Sequence, residues 1–231
     1  MNIASRISMI RDRIAHAATR AGRDPEEVKL MAVSKFQERS RIDEALDSGI
    51  MLLGESRVQE IRDKYDLSAK PLPDDVELHF IGRLQRNKVR QAVKYCNVIE
   101  SVDRDDLIPA IIQACSHEDR KMSVFFELNT GEESKAGYRD LDALSHGVEL
   151  ALASERIIPA GLMTMAPFTS NENEIRVAFR SLAACRELLY RRFSLPVLEL
   201  SMGMSSDFEI AIEEGATLVR VGTLLFEGVQ T

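Results

Sequence analysis

The feature that most constrains this chain is an alternation of short apolar runs with helical segments, carried through eight times. The runs span residues 28–35, 50–56, 76–82, 98–102, 123–129, 157–165, 197–202 and 217–223. Each is rich in Val, Ile and Leu and bounded by turn residues, the pattern of a strand buried on both faces. Between them the spacing predicts helices over 38–48, 57–65, 85–95, 104–116, 141–154, 173–191 and 207–214, with Gly49 and Gly215 as C-terminal stops. Every strand but the last is followed by a helix. Alternation of this kind implies a parallel sheet, and eight units in 231 residues imply that the sheet closes on itself. The expected fold is therefore α/β, a (β/α)8 TIM barrel forming one domain over residues 1–231. An open doubly wound sheet is the structural alternative, but its glycine-rich phosphate turn is absent.

An extra helix is expected ahead of the first strand, where Ile3, Ile7, Ile10 and Ile14 recur at helical spacing up to about Gly22. Arg6, Arg11, Arg13, Arg20 and Arg23, set against Asp12 alone, imitate a transit peptide. The isoleucine stripe favours an amphipathic helix packed on the domain. A net charge of −7 argues against a nucleic-acid partner. No apolar run reaches bilayer length, so no membrane partner is expected. Cys96, Cys115 and Cys185 lie far apart, without the spacing of a zinc site or a disulfide framework, and read as thiols in a reducing compartment. His16, His79, His117 and His146 show no metal-ligand spacing. A cytoplasmic monomer without a metal is expected.

The chemistry concentrates at two distant places. Strand one ends in Lys35, and lysine is rarely buried without a partner or a purpose. Desolvation there would lower the amine's pKa and free it to attack a carbonyl. Barrel closure sets strand eight beside strand one, bringing residues 220–223 to the same C-terminal rim, where barrel active sites form. The loops 201–206 and 222–223 offer glycines and small hydroxyls suited to a phosphate. Ser206 and Glu209 form a capping-box pattern, with Asp207 expected to face solvent. By alternation Arg220 shares a face with Leu218; if Val219 and Val221 meet the helices, Arg220 points into the barrel. An amine beside an anion cradle suits an aldehyde carrying a phosphate, either pyridoxal phosphate or the sugar phosphate of an imine-forming aldolase. Arg220 favours the former, because a guanidinium facing a pyridine nitrogen leaves that nitrogen unprotonated and the ring a poor electron sink.

Ala32-Val33-Ser34-Lys35, His79-Phe80-Ile81-Gly82, residues 129–135 (Asn-Thr-Gly-Glu-Glu-Ser-Lys), Gly161-Leu162-Met163-Thr164-Met165, residues 200–205 (Leu-Ser-Met-Gly-Met-Ser) and Val219-Arg220-Val221-Gly222-Thr223 appear in order along nearly the whole chain. Together they closely resemble the pyridoxal phosphate homeostasis protein family. The resemblance implies a barrel like the N-terminal domain of alanine racemase and an internal aldimine (a Schiff base) on Lys35. It also implies phosphate contacts from Ser201, Met202, Gly203, Gly222 and Thr223, and Arg220 near the pyridine nitrogen. Two departures stand out. The family's Gly-Glu-Asn is Gly54-Glu55-Ser56 here, which shortens or removes any contact from the asparagine amide. Residues 224–228 depart from the usual Phe-Gly ending but leave the phosphate segment intact.

Two functions follow from different premises. A carrier binds pyridoxal phosphate reversibly, buffers it and passes it to apo-enzymes. A racemase needs a base on each face of the substrate α-carbon. Alanine racemases, to which the chain looks related, take the second base from a tyrosine of a C-terminal domain. Only residues 224–231 follow Thr223, so no such domain is expected. Of Tyr65, Tyr95, Tyr138 and Tyr190, Tyr138 alone falls near a rim loop. The carrier is favoured, with a weakly active racemase as the alternative and no catalytic residue assigned. The basic run Arg83, Arg86, Lys88, Arg90 and Lys94 reads as a solvated face, or else as a docking site for an acidic partner. Lys135 reads as a loop lysine, or else as a transient acceptor of the aldehyde.

Overall fold

Eight parallel strands close in sequence order, β1 to β8, in a computed structural model that describes residues 2–66, 71–131 and 136–227. They are β1 (Lys29–Val33), β2 (Leu52–Glu55), β3 (Glu77–Phe80), β4 (Val98–Val102), β5 (Met122–Glu127), β6 (Ile157–Met163), β7 (Glu199–Ser201) and β8 (Leu218–Val221). The last strand returns to the first, with Met31 beside Arg220 and Ala32 beside Val221. The expected strands are all present; β4 keeps its expected span, and the other seven stop short of their expected C-terminal ends because the apolar runs continue into rim loops where pairing has ended.

Strand alternation sorts the core into two layers. Met31, Leu52, Val98, Phe125, Met163 and Leu218 pack on one another inside the barrel. Ala32, Leu53, Phe80, Ile99, Phe126, Leu162 and Val219 face the helices. Those helices are α1 (Ile3–Arg20), α2 (Arg39–Asp47), α3 (Val58–Ile61), α4 (Val89–Tyr95), α5 (Leu107–His117), α6 (Leu141–Leu152), α7 (Glu172–Phe193), α8 (Phe208–Glu213) and α9 (Thr223–Phe226). Helix α3 widens into a π turn over Arg62–Asp66, and a 3-10 turn, Arg86–Lys88, precedes α4. The helix after β8 was not expected. Its final carbonyls are held from outside, since Arg6 donates to Leu225 O and Phe226 O and Arg41 also donates to Phe226 O. A four-residue helix fixed by distant arginines leaves no periodicity to read.

The N-terminal helix α1 buries the isoleucine stripe and is capped by Asn2, whose side chain accepts the Ser5 N–H. The arginines that imitate a transit peptide fasten it to the barrel. Arg13 grips Glu209 through two bonds of 3.1 and 3.2 Å, and Arg23 donates to Ile212 O and Ala216 O at 2.8 Å each. Among the described residues no helix is long and apolar enough to cross a membrane. Cys96 and Cys115 are buried and Cys185 is half-buried; none is bonded to another.

Ile10 is wholly buried on the inner face of α1. Ile10→Ala should destabilise the protein by about 2–5 kcal/mol, read as a lower urea midpoint at unchanged slope. An unchanged midpoint would mean that α1 does not belong to the cooperative fold.

Candidate functional site

The C-terminal rim brings together the two distant pieces of chain that the sequence singles out. Gly222 directly follows β8, and a Cβ there would lie 3.2 Å from Val33 Cβ and 3.4 Å from Val33 O. The ends of β1 and β8 therefore touch, with Lys35 two residues beyond Val33 and Thr223 one beyond Gly222. Both Lys35 and Thr223 are exposed. This corrects one premise: Lys35 leaves the strand in a turn and is exposed, so it is not the buried amine expected from sequence. Among the described residues no carboxylate pairs with its amine.

Below the rim, Arg220 points inward as alternation predicts, and is only 5 % exposed. It donates Nη1 to Ser201 Oγ at 2.6 Å and Nη2 to Thr164 O at 2.8 Å. Ser201 Oγ in turn donates to Glu100 Oε2 at 2.5 Å. Glu100 Oε1 meets His79 Nδ1 at 2.6 Å, and His79 Nε2 meets Glu77 Oε2 at 3.2 Å. The result is a column of alternating charge along the barrel axis, from Glu77 at the N-terminal mouth to Arg220 under the rim. Burial works to lower the His79 pKa, but the bonds and charges of Glu100 and Glu77 outweigh it and hold the ring above its usual value. Burial likewise lowers the Arg220 pKa, opposed by Glu100, Glu127 and Asp207.

The loop after β7 differs from expectation. Gly203 adopts φ +92, open to glycine without strain, and a Cβ there would lie 2.6 Å from Ala211 Cβ. Asp207 is buried rather than facing solvent, and its Oδ1 accepts the Met204 N–H at 2.5 Å. Asp207 occupies the N-cap of α8 and Glu209 is taken by Arg13, so the Ser206–Glu209 capping box does not form. Burial raises the Asp207 carboxyl pKa, against the Met204 N–H and the charge of Arg220. Ser201 and Met202 are fully buried: the hydroxyl of the first is committed to Glu100, and the N–H of the second donates to Leu218 O. Gly203, Gly222 and Thr223 line the rim itself.

Several groups escape a reading of the sequence. Glu100 sits inside strand four and His79 inside strand three, each with the inward phase of an apolar neighbour. A polar residue on the core face was the available signal. Glu127 carries the same mark, two residues after Phe125 on β5, and is buried in the barrel. Burial, with the nearby charge of Asp103 adding to it, pushes the Glu127 carboxyl up to about 7, against Arg220 and Arg83. Tyr138 is not in the mouth at all. It is buried between β5 and α6, where its hydroxyl donates to Asp105 Oδ1 at 3.0 Å. Ser56 is half-buried in the loop after β2. Of the basic run, Arg90 pairs with Glu118 at 2.9 Å. Lys135 lies outside the described residues, and among those described no His, Cys, Asp and Glu cluster could hold a metal ion.

Comparison with known proteins agrees with this geometry. The family defined by the alanine racemase N-terminal domain matches residues 6–229. A pyridoxal phosphate homeostasis protein of Aquifex aeolicus is 40 % identical over 226 residues, 98 % of each chain. The chain belongs to the pyridoxal phosphate homeostasis protein family. PipY of Synechococcus elongatus, a structure solved with pyridoxal phosphate bound, superposes on it with a TM-score of 0.82 at 32 % identity, covering 97 % of this chain and all (100 %) of that one. Alanine racemase from Bacillus anthracis, at 13 % identity and a TM-score of 0.71, shares the fold; 96 % of this chain covers 56 % of that one. The homeostasis family is thus a barrel built like half of a racemase chain.

Glu127 makes a pH test. With its folded pKa raised from 4.5 to about 7, the fold holds a proton that the unfolded chain releases. Its contribution is complete below pH 4.5 and is lost as pH rises through 7, a change of about 3 kcal/mol at most. Glu127→Gln should therefore gain stability relative to the parent as pH rises from 4.5 to 7.5, measured by urea melts. A difference that stays flat with pH would show that Glu127 does not bind that proton.

Proposed function

We propose that this chain binds pyridoxal phosphate reversibly on Lys35, buffers it in the cytoplasm and surrenders it to apo-enzymes. The observation that carries the reading is the exposed amine-bearing turn of Lys35, two residues beyond Val33, at the strand end that meets Gly222 after β8. The residues present fit the cofactor. Gly203 leaves no room for a Cβ and Gly222 only a tight fit, and both present backbone where a phosphate would approach. Thr223 adds an exposed hydroxyl. Ser201 and Met202, expected to touch the phosphate, support this cradle from below through strand pairing.

When bound, pyridoxal phosphate supplies an aldehyde that condenses with an amine and a ring that can draw electrons from the adduct. Arg220 keeps its proton and gives one N–H to Ser201 and one to Thr164 O; its remaining N–H groups would be the donors to a ring nitrogen, which would then stay unprotonated. Ser201 and Thr164 O fix the guanidinium, and the charge of Glu100 offsets its burial. Lys35 delivers the amine from an exposed turn, where water can reverse the attachment.

The same geometry weighs against the racemase alternative. The Tyr138 hydroxyl is directed to Asp105 outside the barrel, and burial raises its pKa far beyond use as a base. Tyr65 is bonded to Glu55, while Tyr95 and Tyr190 lie in α4 and α7. No tyrosine of the chain is placed to work opposite Lys35.

The parent chain should turn yellow with pyridoxal phosphate, and borohydride should fix the cofactor to the Lys35 peptide. Lys35→Ala should stay folded and lose both signals; retention of the label in that variant would overturn the reading. Thr223→Val should raise the dissociation constant roughly ten- to a hundredfold, the loss of one hydrogen bond to a charged phosphate, by equilibrium dialysis. Amino-acid racemisation should stay at the level of free cofactor, and robust turnover dependent on Lys35 would favour the enzyme.

A further inference from the structure

The turn that carries Lys35 is held in an unfavourable conformation by a neighbouring βα unit. Gln37 N–H donates to Ser34 O at 3.1 Å, closing a β-turn with Lys35 and Phe36 at its centre. Phe36 has φ 63, the left-handed position that glycine or asparagine ordinarily fills in such a turn. A bulky aromatic persists there only when its surroundings over-determine the backbone. Its ring is 64 % exposed and lies under the Arg57 guanidinium, so apolar burial does not supply that restraint.

An ion pair does. Lys64 Nζ donates to Ser34 O at 2.9 Å, and Glu60 Oε2 accepts the Phe36 N–H at 2.8 Å. These are the carbonyl of the peptide before Lys35 and the N–H of the peptide after it. Lys64 and Glu60 also bond to each other at 3.0 Å, so one salt bridge spans both peptide planes of Lys35. Behind it stands buried Glu55, whose Oε1 accepts from Lys64 at 2.9 Å, Ser34 Oγ at 2.8 Å and the Tyr65 hydroxyl at 3.2 Å. The π winding after α3 lets the consecutive side chains Lys64 and Tyr65 reach the same carboxylate oxygen. Such turns are frequent at functional sites. Arg39 of α2 fixes the winding by donating to Lys64 O at 3.0 Å.

We propose that Lys64 and Glu60 are positioning residues for Lys35: their salt bridge locks the turn so that the amine is launched at a fixed angle over the barrel mouth, and this sets how fast the aldehyde is captured and released. The proposal rests on the cofactor reading above. In capture, the unprotonated Lys35 Nζ forms a double bond to the aldehyde carbon, and its two hydrogens leave with the carbonyl oxygen as one water. Release consumes one water and restores both groups. Neither Lys64 nor Glu60 exchanges a proton in this step; they act through the backbone alone.

The test uses the full chain and its Lys64→Met, Lys64→Arg and Glu60→Gln variants. Each is mixed with pyridoxal phosphate and quenched with borohydride at timed intervals, and the Lys35 peptide is quantified by mass. Hydrogen exchange at the Phe36 amide is followed separately without cofactor. Lys64→Met and Glu60→Gln should label about ten- to a hundredfold more slowly than the parent, with faster Phe36 exchange. Lys64→Arg, which can still bridge both acceptors, should recover much of the rate. Glu60→Gln leaves Glu55 and its lysine paired and keeps the test open if Lys64→Met does not fold. Variants that label as fast as a labelled parent overturn the positioning role alone. A parent that takes no label at Lys35 overturns the cofactor reading, and the proposal with it.

Discussion

One buried positive charge organises the interior of this barrel. A guanidinium taken out of water is tolerable only if its donors are met and its charge is offset nearby. Arg220 has both, through Thr164 O, Ser201 and the carboxylate of Glu100 beyond it. Glu100 in turn requires His79, and His79 is held between two acids. The polar column explains why β3, β4, β7 and β8, which read as apolar runs, each carry a polar residue facing inward. It also gives the rim a rigid floor, since a column bonded end to end has few alternative arrangements.

The barrel itself was legible because alternation of strand and helix is a property of composition at fixed spacing, and eight repetitions admit few closed solutions. The inward phase of Arg220 was legible for the same reason: Val219 and Val221 lie on the layer that meets the helices, which leaves the other face for the arginine. Contacts that join distant segments by polar side chains were not. Nothing in the spacing of Glu209 reveals that Arg13, rather than Ser206, would claim it, or that Asp207 would turn inward to cap its own loop. The hydrogen-bond partners of Glu100, His79 and Ser201, lie on β3 and β7, and only the closed cylinder brings them together.

Lys35 shows where residue type misleads. A lysine at the end of an apolar strand suggests a buried, tuned amine. In the fold the last strand residue is Val33, and Lys35 has already passed into a turn in contact with water. Burial is a property of where pairing stops, and the apolar run overshoots that point. On the reading proposed above, an exposed amine separates two tasks that a closed active site would merge: attachment would happen at the edge, whereas recognition of the ring and phosphate would belong to the wall.

The register of that wall is uneven. Strands β5 and β6 run side by side from Met122 and Ile157 to Glu127 and Met163, whereas β7 and β8 share the single aligned pair Ser201 and Leu218. Regular pairing is shortest there, although the N–H groups of Thr217, Met202 and Arg220 also donate across the seam to Leu200 O, Leu218 O and Gly203 O. Local opening favours the segment with the fewest backbone bonds to break. Opening of the β7–β8 seam breaks the bond from Arg220 N–H to Gly203 O, so on the cofactor reading proposed above breathing there would loosen the grip on an anion.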